Sequence, residues 1–204
     1  DPNVVDEEVR KFMESRNIDE DKLKMDLKFN AMRSMAASEE NVAAFIKSHP
    51  VAYFDGTKIK ANHVLFVCKP WDSEDQWETT RQRAAGVAKA IRAGDLDFKA
   101  AVKLAADDGS PQQGDTFGPV ELMNVTPDFA KAALELKVGE VSEPIRTFFG
   151  WHVAEITERT EGTGEPREGA ETAVTGLLRD EAVRNAILES VKKLPVRIYD
   201  EAAP

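Results

Sequence analysis

The sequence predicts an α+β fold in which a mixed unit, residues 58–160, is inserted between two helical segments, 1–57 and 161–204. Two observations predict this arrangement. The spacing of apolar residues changes from helical to period two at Lys58. A stretch rich in Gly, Glu and Pro, TEGTGEPREG, is predicted to be a linker that leads to a second helical tract. Each helical segment is short for a core of its own, so we expect the two to pack together as one discontinuous domain.

Composition narrows the possible functions. A chain of 204 residues that is 42% hydrophobic can bury a sizeable core in one or two domains. The net charge of −10 disfavours nonspecific binding to nucleic acid or to anionic membranes. No apolar run approaches the roughly 20 residues of a membrane helix, so we expect no membrane insertion. No signal peptide is recognisable, but because the chain opens at Asp1 without Met, we expect a mature form whose start has been removed, and this absence therefore carries no conclusion.

Residues 1–57 are predicted to form helices, the third of which is capped by Ser38 and ends before Pro50. Seven apolar residues of the first two helices recur at near-helical spacing: Val9, Phe12, Met13, Leu23, Leu27, Met32 and Met35. The Phe and Met residues could form a surface for a partner or a client. The amphipathic spacing favours an ordinary core instead.

The mixed unit is predicted to have the order β-α-α-β-α-β-β. A strand from Lys58 is followed by a long polar helix at about 73–94 and by a shorter helix in LDFKAAVKLAADD. A loop, GSPQQGDTFGPV, leads into a short strand, and Thr126 then caps the helix of TPDFAKAALEL. A turn and short strand in KVGEVSEPI and a final strand in GWHVAEITER complete the unit. The C-terminal tract from residue 171 is predicted to be one more helix.

Two of the three histidines, His63 and His152, indicate a functional site. His152 shares a predicted strand face with Ala154 and Ile156, and His63 shares one with Ala61 and other apolar residues. One inward histidine is more often a core residue with satisfied hydrogen bonds. Two on neighbouring strands, with an acidic loop between them in the sequence, favour a functional site.

Other chemistries fit the residues less well. The single cysteine, Cys68, excludes an internal disulfide and a multi-cysteine metal site, and it lies on the strand face opposite His63. Metal binding by His63, His152 and Asp107 or Asp108 is conceivable, but no short-spaced ligand pair supports it. GSPQQG also lacks the Lys-Ser or Lys-Thr of a phosphate-binding loop. We therefore expect neither a metal nor a cofactor.

Four motifs carry a resemblance to a known family. KANHVLF, LAADDGS, FGPV and PDFAKAALELKVGEVSEPIRTFFGWHVAEI occur in the order typical of parvulin-type peptidyl-prolyl cis/trans isomerases. Residues 58–158 resemble this family, most specifically in ALELKVGEVSEPIRTFFGWHV. The resemblance implies a four-stranded antiparallel sheet with surrounding helices. In helix pattern and layout, the flanks resemble the helical segments of SurA- and PrsA-type foldases, which act in the periplasm or otherwise outside the cytoplasm.

The resemblance also implies a set of site residues. His63 and His152 match the family's paired histidines on the sheet floor, and Thr147 matches the threonine beside them. Asp108, favoured over Asp107 by an ungapped register, falls where the family has Cys or Asp facing the substrate amide. Four further residues are implied to form or flank the proline pocket: Phe117, Met123, Val125 and Phe129.

The implied activity is isomerisation of X-Pro bonds in unfolded or exported proteins, with a chaperone-like helical module that holds such chains. Unfolded or extended proline-containing polypeptides are the expected partners, and the expected location is periplasmic or otherwise extracytoplasmic. The acidic segment KPWDSEDQWETT stands where phosphoserine-directed members have an Arg cluster, which favours non-phosphorylated sites. The alternative is a weakly catalytic or non-catalytic peptide-binding protein, because QGDTFG replaces the family's GGDLG and Val125 replaces a pocket methionine.

Overall fold

The computed structural model describes residues 2–16, 19–107 and 115–192. The chain divides into two compact units, one from Asp1–Phe45 together with Glu171–Pro204 and one from Ile46–Ala170. Both terminal helical segments thus contribute to one unit, as expected. This division lies near the predicted domain limits of 57/58 and 160/161, which stay a prediction. Within the described ranges, no helix is both long and apolar enough to cross a membrane.

The helical unit is built from long helices that leave much apolar surface exposed. Its elements are α1 (Pro2–Arg16), α2 (Glu20–Ala36), most of α3 (Glu39–Ser48) and nearly all of α7 (Ala170–Lys192). The exposed fractions are 47% for Phe12, 59% for Leu27 and 74% for Met35. The prediction of an ordinary core is therefore wrong for Phe12, Leu27 and Met35, whereas Met13, Leu23 and Met32 are half-buried. No neighbouring helix of this unit covers the three exposed side chains fully.

The second unit has the predicted order of elements. Its helices are α4 (Glu74–Ala93), α5 (Phe98–Asp107) and α6 (Pro127–Glu135), and its strands are β1 (Lys58–Val67), β2 (Thr116–Glu121), β3 (Ile145–Thr147) and β4 (Gly150–Thr160). The four strands form one antiparallel sheet in the order β2-β1-β4-β3. This confirms the α+β class and the inserted, four-stranded antiparallel domain.

Local sequence signals fix the ends of these helices. Ser73 and Gln76 form a reciprocal capping box at the start of α4, and Gly94 ends that helix with φ of 78°. Thr126 and Pro127 begin α6 as predicted. The short strand β3 starts at Ile145, somewhat later than KVGEVSEPI suggested, because Pro144 has no N–H to donate to the sheet.

One face of the sheet is sealed by α4 and α5. Val64 and Phe66 of β1 and Val153 of β4 pack there against five small or apolar helix residues: Ala84, Ala88, Phe98, Ala101 and Ala105. The strand residues are at most 3% exposed, and the alanines let the helices approach closely. We call this the helix-covered face. The opposite face carries His63, His152 and Ala154, and we call it the histidine face.

The chain before β1 and the chain after β4 are tied together by the buried carboxylate of Asp55. Its Oδ1 accepts hydrogen bonds from the backbone N–H and the hydroxyl of Thr57 at 2.8 and 2.7 Å, and its Oδ2 accepts one from the Gly164 N–H at 3.1 Å. The Gly162 N–H donates to Thr57 Oγ1 at 3.0 Å. A side chain at Gly162 would collide with Asp55, since a Cβ there would lie 2.2 Å from Oδ1. Part of the stretch interpreted as a linker is thus bonded to the chain that precedes β1.

The ionisation of Asp55 is part of this tie. Burial disfavours the charged carboxylate, but the hydrogen bonds from Thr57 and Gly164 outweigh burial and lower the pKa of Asp55 below its ordinary value. The two central strands of the sheet are therefore joined at one end by an ionised carboxylate.

Candidate active site

The two histidines predicted to share a site do lie side by side. In the β1–β4 register His63 faces Ala154 and Leu65 faces His152, which makes the two histidines diagonal neighbours on the same face. Their rings are stacked, with centroids 6.1 Å apart and an interplanar angle of 17°. Within the described part of the chain, the Nδ1 atoms of both rings are buried without a hydrogen-bond partner.

Burial controls the charge of this pair. Desolvation lowers the pKa of His63 below its ordinary value. It also lowers the pKa of His152 to about 4, and the nearness of His63 adds to that effect. Both rings are therefore neutral at pH 7, and the histidine face offers a floor without cationic charge.

Thr147 connects this floor to the tight turn between β3 and β4. Its Oγ1 lies 2.8 Å from Nε2 of His152 and accepts a hydrogen bond from the Phe149 N–H at 3.2 Å. The turn requires glycine at position 150, where φ is +133° and a Cβ would lie 2.1 Å from the carbonyl oxygen of Phe66. The turn thus fixes the threonine, and the threonine orients the ring of His152.

Two phenylalanines complete a closed circuit of ring contacts around the histidines. The Phe117 ring packs edge-on against His63 with centroids 5.0 Å apart, and its centroid lies 5.6 Å from that of Phe129. Phe129 in turn packs edge-on against His152 at 5.6 Å. Such edge-to-face contacts stabilise aromatic clusters. Phe129, at 4% exposed, lies deep in the cluster, while Phe117 is half-buried.

The elements that carry these two rings are tightly constrained. Phe117 lies on β2 opposite Ala61, and the next residue, Gly118, has φ of +102°. A Cβ at Gly118 would lie 2.5 Å from the carbonyl oxygen of Ile59, so only glycine lets β2 approach β1 this closely. Phe129 is in the first turn of α6, whose start is fixed by Pro127.

The other predicted site residues divide into two groups. Met123 lies in the short 3₁₀ turn Leu122–Asn124 and Val125 ends that turn, so both half-buried side chains immediately precede α6. Asp108 lies outside the described residues. The structure therefore brings together His63, His152, Thr147, Phe117 and Phe129, whereas Met123 and Val125 are placed beside this cluster by chain connectivity.

Tyr53 is a residue that the sequence did not indicate. It is only 2% exposed, and its hydroxyl donates to the carbonyl oxygen of Val125 at 3.4 Å. Burial raises the pKa of this hydroxyl to about 12, so it remains a donor at physiological pH. Tyr53 thus supports the turn that leads into α6 from 72 residues away, and no local pattern could have shown this.

Comparison with known proteins identifies the second unit. Residues 63–158 match the family model described as Rotamase, PPIC-type PPIASE domain. This part of the chain is a parvulin domain. The match includes both histidines and the whole aromatic circuit, so the cluster described above lies within the parvulin domain.

Curated relatives extend the likeness beyond the parvulin domain. The chain is 34% identical to Chaperone SurA of Shewanella frigidimarina over 103 residues, which are 50% of this chain and 23% of that protein. It is 29% identical to Chaperone SurA of Cupriavidus pinatubonensis over 175 residues, which are 86% of this chain and 33% of that protein. The second match includes helical flanks, so the parvulin domain has a SurA-like layout. The chain spans about a quarter to a third of the length of these relatives.

A solved structure shares the fold. The peptidylprolyl isomerase PrsA from Bacillus anthracis aligns with a TM-score of 0.50 at 20% identity, covering 96% of this chain and 92% of that one. At this identity the likeness concerns the fold alone. It agrees with a parvulin domain carried between helical segments.

Proposed function

We propose that the parvulin domain isomerises X-Pro bonds in unfolded or exported proteins, and that the helical unit holds such chains while it does so. The observation that carries this proposal is the closed circuit of His63, Phe117, Phe129 and His152, with the hydroxyl of Thr147 against His152. It combines an aromatic wall suited to a proline ring with a neutral, polar floor suited to a peptide bond.

The reaction requires binding rather than covalent chemistry. Rotation about a peptide bond crosses a barrier of about 18–20 kcal/mol because resonance is lost, and for X-Pro bonds it takes tens to hundreds of seconds at about 25 °C. A site accelerates rotation if it binds the twisted amide more tightly than either planar form. No nucleophile and no cofactor is needed for this.

Each residue of the cluster has a defined part in this proposal. Phe129 and Phe117 contact the proline ring. Val125 and Met123, in the turn that precedes α6, add to the wall of the same pocket. His63 and His152 form the neutral floor. Thr147 orients His152, and Asp108 is assigned to face the substrate amide on the resemblance alone.

The charge of the segment after β1 favours non-phosphorylated sequences. This segment, KPWDSEDQWETT, includes Asp72 and Glu74. By the resemblance it stands where phosphoserine-directed members have an Arg cluster, and carboxylates at that place would repel a phosphate.

The proposal includes a location and a class of partner. We place the protein outside the cytoplasm, in the periplasm or an equivalent compartment, on its likeness to SurA. Its clients would be unfolded or extended chains that contain proline. The exposed apolar side chains of α1 and α2 provide the helical unit with surface to contact them.

A protease-coupled isomerisation assay tests the catalytic proposal. Peptides of the series Ala-Xaa-Pro-Phe would be compared for the unmodified protein and for its Asp108→Ala and Phe129→Ala variants. We expect acceleration that is greatest for uncharged Xaa and that both variants reduce. Full activity in Phe129→Ala would refute the pocket assignment, and full activity in Asp108→Ala would refute the role given to Asp108.

A second candidate function is peptide binding on a catalytically weak parvulin scaffold. The specific observation that favours it is Val125 at the position of the family's pocket methionine, next to an altered QGDTFG loop. The same assay separates the two candidates. Folded protein that accelerates no peptide of the series, yet binds proline peptides, would establish the scaffold function.

A further inference from the structure

The helical unit contains an apolar groove formed by α1, α2 and α7, with a volume of about 650 Å³. Six large apolar side chains line it: Phe12, Leu23, Leu27, Phe29, Val183 and Ile187. Three of these are roughly half exposed, at 47% for Phe12, 59% for Leu27 and 49% for Ile187. Exposed apolar side chains grouped in a concave surface are typical of a site for another polypeptide.

The rim of this groove is cationic. Arg16, Lys22 and Arg33 line it, against a single carboxylate from Asp26. A neighbouring cavity of about 500 Å³ shares Asn30 and Arg33 with the groove and is also lined by Ser34, Gly176, Arg179 and Asp180. Among the residues that the structure describes, no carboxylate forms an ion pair with Lys22, Arg33 or Arg179.

We propose that the groove binds segments of unfolded polypeptide in which carboxylate side chains flank apolar ones. This deepens the client-holding role proposed above and rests on it. The net charge of −10 means that the chain as a whole repels an acidic segment, while the cationic side chains that line the groove attract it. A cationic segment would instead be drawn to other surfaces, so the sign of the flanking charges decides where a client docks.

Two labelled peptides test this preference on the full chain by fluorescence anisotropy. Both contain the same Phe and Leu residues in a Gly-Ser background without proline, so that the proline pocket takes no part. One has Glu at the flanking positions and the other has Lys. We expect the Glu peptide to bind about tenfold more tightly, a difference of about 1.4 kcal/mol, and the preference to shrink as salt shortens the screening length below about 8 Å.

Variants locate the binding site. Arg33→Glu should weaken the Glu peptide and strengthen the Lys peptide, because Arg33 lines both cavities. Lys89→Glu, an exposed position on α4, makes the same change in net charge outside the helical unit and should leave the affinity of the Glu peptide unchanged. Leu27→Ser should weaken both peptides. Circular dichroism would establish that all variants keep their helical content.

Three outcomes would overturn the inference. Equal binding of both peptides, unaffected by Arg33→Glu, would show client holding without charge selection. A wild-type dimer that Arg33→Glu dissociates, measured by sedimentation, would assign the groove to a second copy of this chain. Absence of binding to either peptide, together with failure to suppress aggregation of an unfolded protein, would overturn the client-holding role itself and leave the isomerase proposal standing.

Discussion

The two faces of the sheet come from alternate residues of the same strands, yet they are used differently. On the helix-covered face, Val64, Phe66 and Val153 are at most 3% exposed and pack against helices. On the histidine face, His63 and His152 are half-buried and their Nδ1 atoms have no hydrogen-bond partner within the described residues. Burial of apolar area stabilises the domain, whereas an unpaired buried polar atom costs free energy.

This difference indicates that one face of the sheet serves mainly stability and the other mainly catalysis. The apolar residues buried on the helix-covered face help to offset the free-energy cost of the neutral, incompletely satisfied histidines on the other side. Changes on the first face should therefore alter the free energy of unfolding, and changes on the second should alter catalysis or its pH dependence. The following predictions test that division, from the largest expected effect to the smallest.

The Phe66→Ala change should have the largest effect on stability. It removes a ring that is 3% exposed between the sheet and its helices, and truncation of a buried Phe costs about 3–5 kcal/mol. Urea denaturation would measure the loss. The kcat/KM of the protein that remains folded should stay within about twofold of wild type. A large fall in kcat/KM without loss of stability would contradict the division between the faces.

Acidification should destabilise the domain through His152. The pKa of His152 is about 4 in the folded protein and near 6.5 in the unfolded chain. Between these two pH values the histidine is protonated in the unfolded chain but stays neutral in the folded protein, so protonation favours unfolding. Stability is full above pH 6.5 and falls as the pH approaches 4. At about 1.4 kcal/mol per unit of pKa, the loss is on the order of 3 kcal/mol.

The pH effect has a matched test in the His152→Gln variant. Its free energy of unfolding should depend less steeply on pH between 6.5 and 4.5 than that of wild type, with a smaller slope remaining from His63, whose pKa is also lowered. Urea midpoints measured across this window would show it. Parallel curves for the two proteins would mean that His152 is not kept neutral by folding.

The Phe129→Ala change should reduce catalysis most. If the ring grips proline, its loss should remove about 2–3 kcal/mol of apolar contact in the transition state, a fall of about 30- to 150-fold in kcat/KM. Phe66→Ala is the matched control, since both rings are buried, at 4% and 3% exposed. Phe129→Leu, which disturbs packing less, should show a smaller fall. Equal kcat/KM in the Phe66 and Phe129 variants would contradict the pocket.

Loss of the hydrogen bonds to Asp55 should lower the stability of the whole sheet, and so of both its faces, because these bonds join the ends of the two central strands. In Asp55→Asn one amide NH₂ must face an N–H donor, from Thr57 or from Gly164, which should cost about 1–3 kcal/mol of stability. Asp95→Asn, at an exposed turn, changes the same charge and should have little effect. Thermal denaturation of both variants measures the difference, and equal melting temperatures would show that the tie contributes nothing.

Much of the parvulin domain could be predicted from local signals. Period-two alternation placed His63 and His152 each on the apolar face of its own strand, the family motifs implied that they are paired, and the structure shows their rings stacked. Cap residues such as Thr126 and Gly94 fixed helix ends. The assignment of Phe117 and Phe129 came from the family motifs, and the structure places both rings beside the histidines. Their catalytic roles, and that of Asp108, stay predictions.

Contacts between distant segments could not be predicted in this way. The support that Tyr53 gives to Val125 spans 72 residues, and the bond from Gly164 to Asp55 spans 109. Composition alone marked the segment around Gly164 as a linker, because Gly, Glu and Pro are typical of flexible connections. Nothing in its sequence shows that a buried carboxylate accepts the backbone N–H of Gly164.

The sequence by itself determined the order of the elements, the face on which each strand residue lies and the family of the mixed unit. Only the tertiary structure decided which apolar faces of the helices are covered by other elements and which stay exposed. Phe12 and Phe98 both lie on apolar helix faces, but Phe98 is sealed beneath the sheet at 7% exposed, while Phe12 remains 47% exposed in an apolar groove. Periodicity reports which residues point the same way, whereas burial depends on a second element that distant parts of the chain must supply.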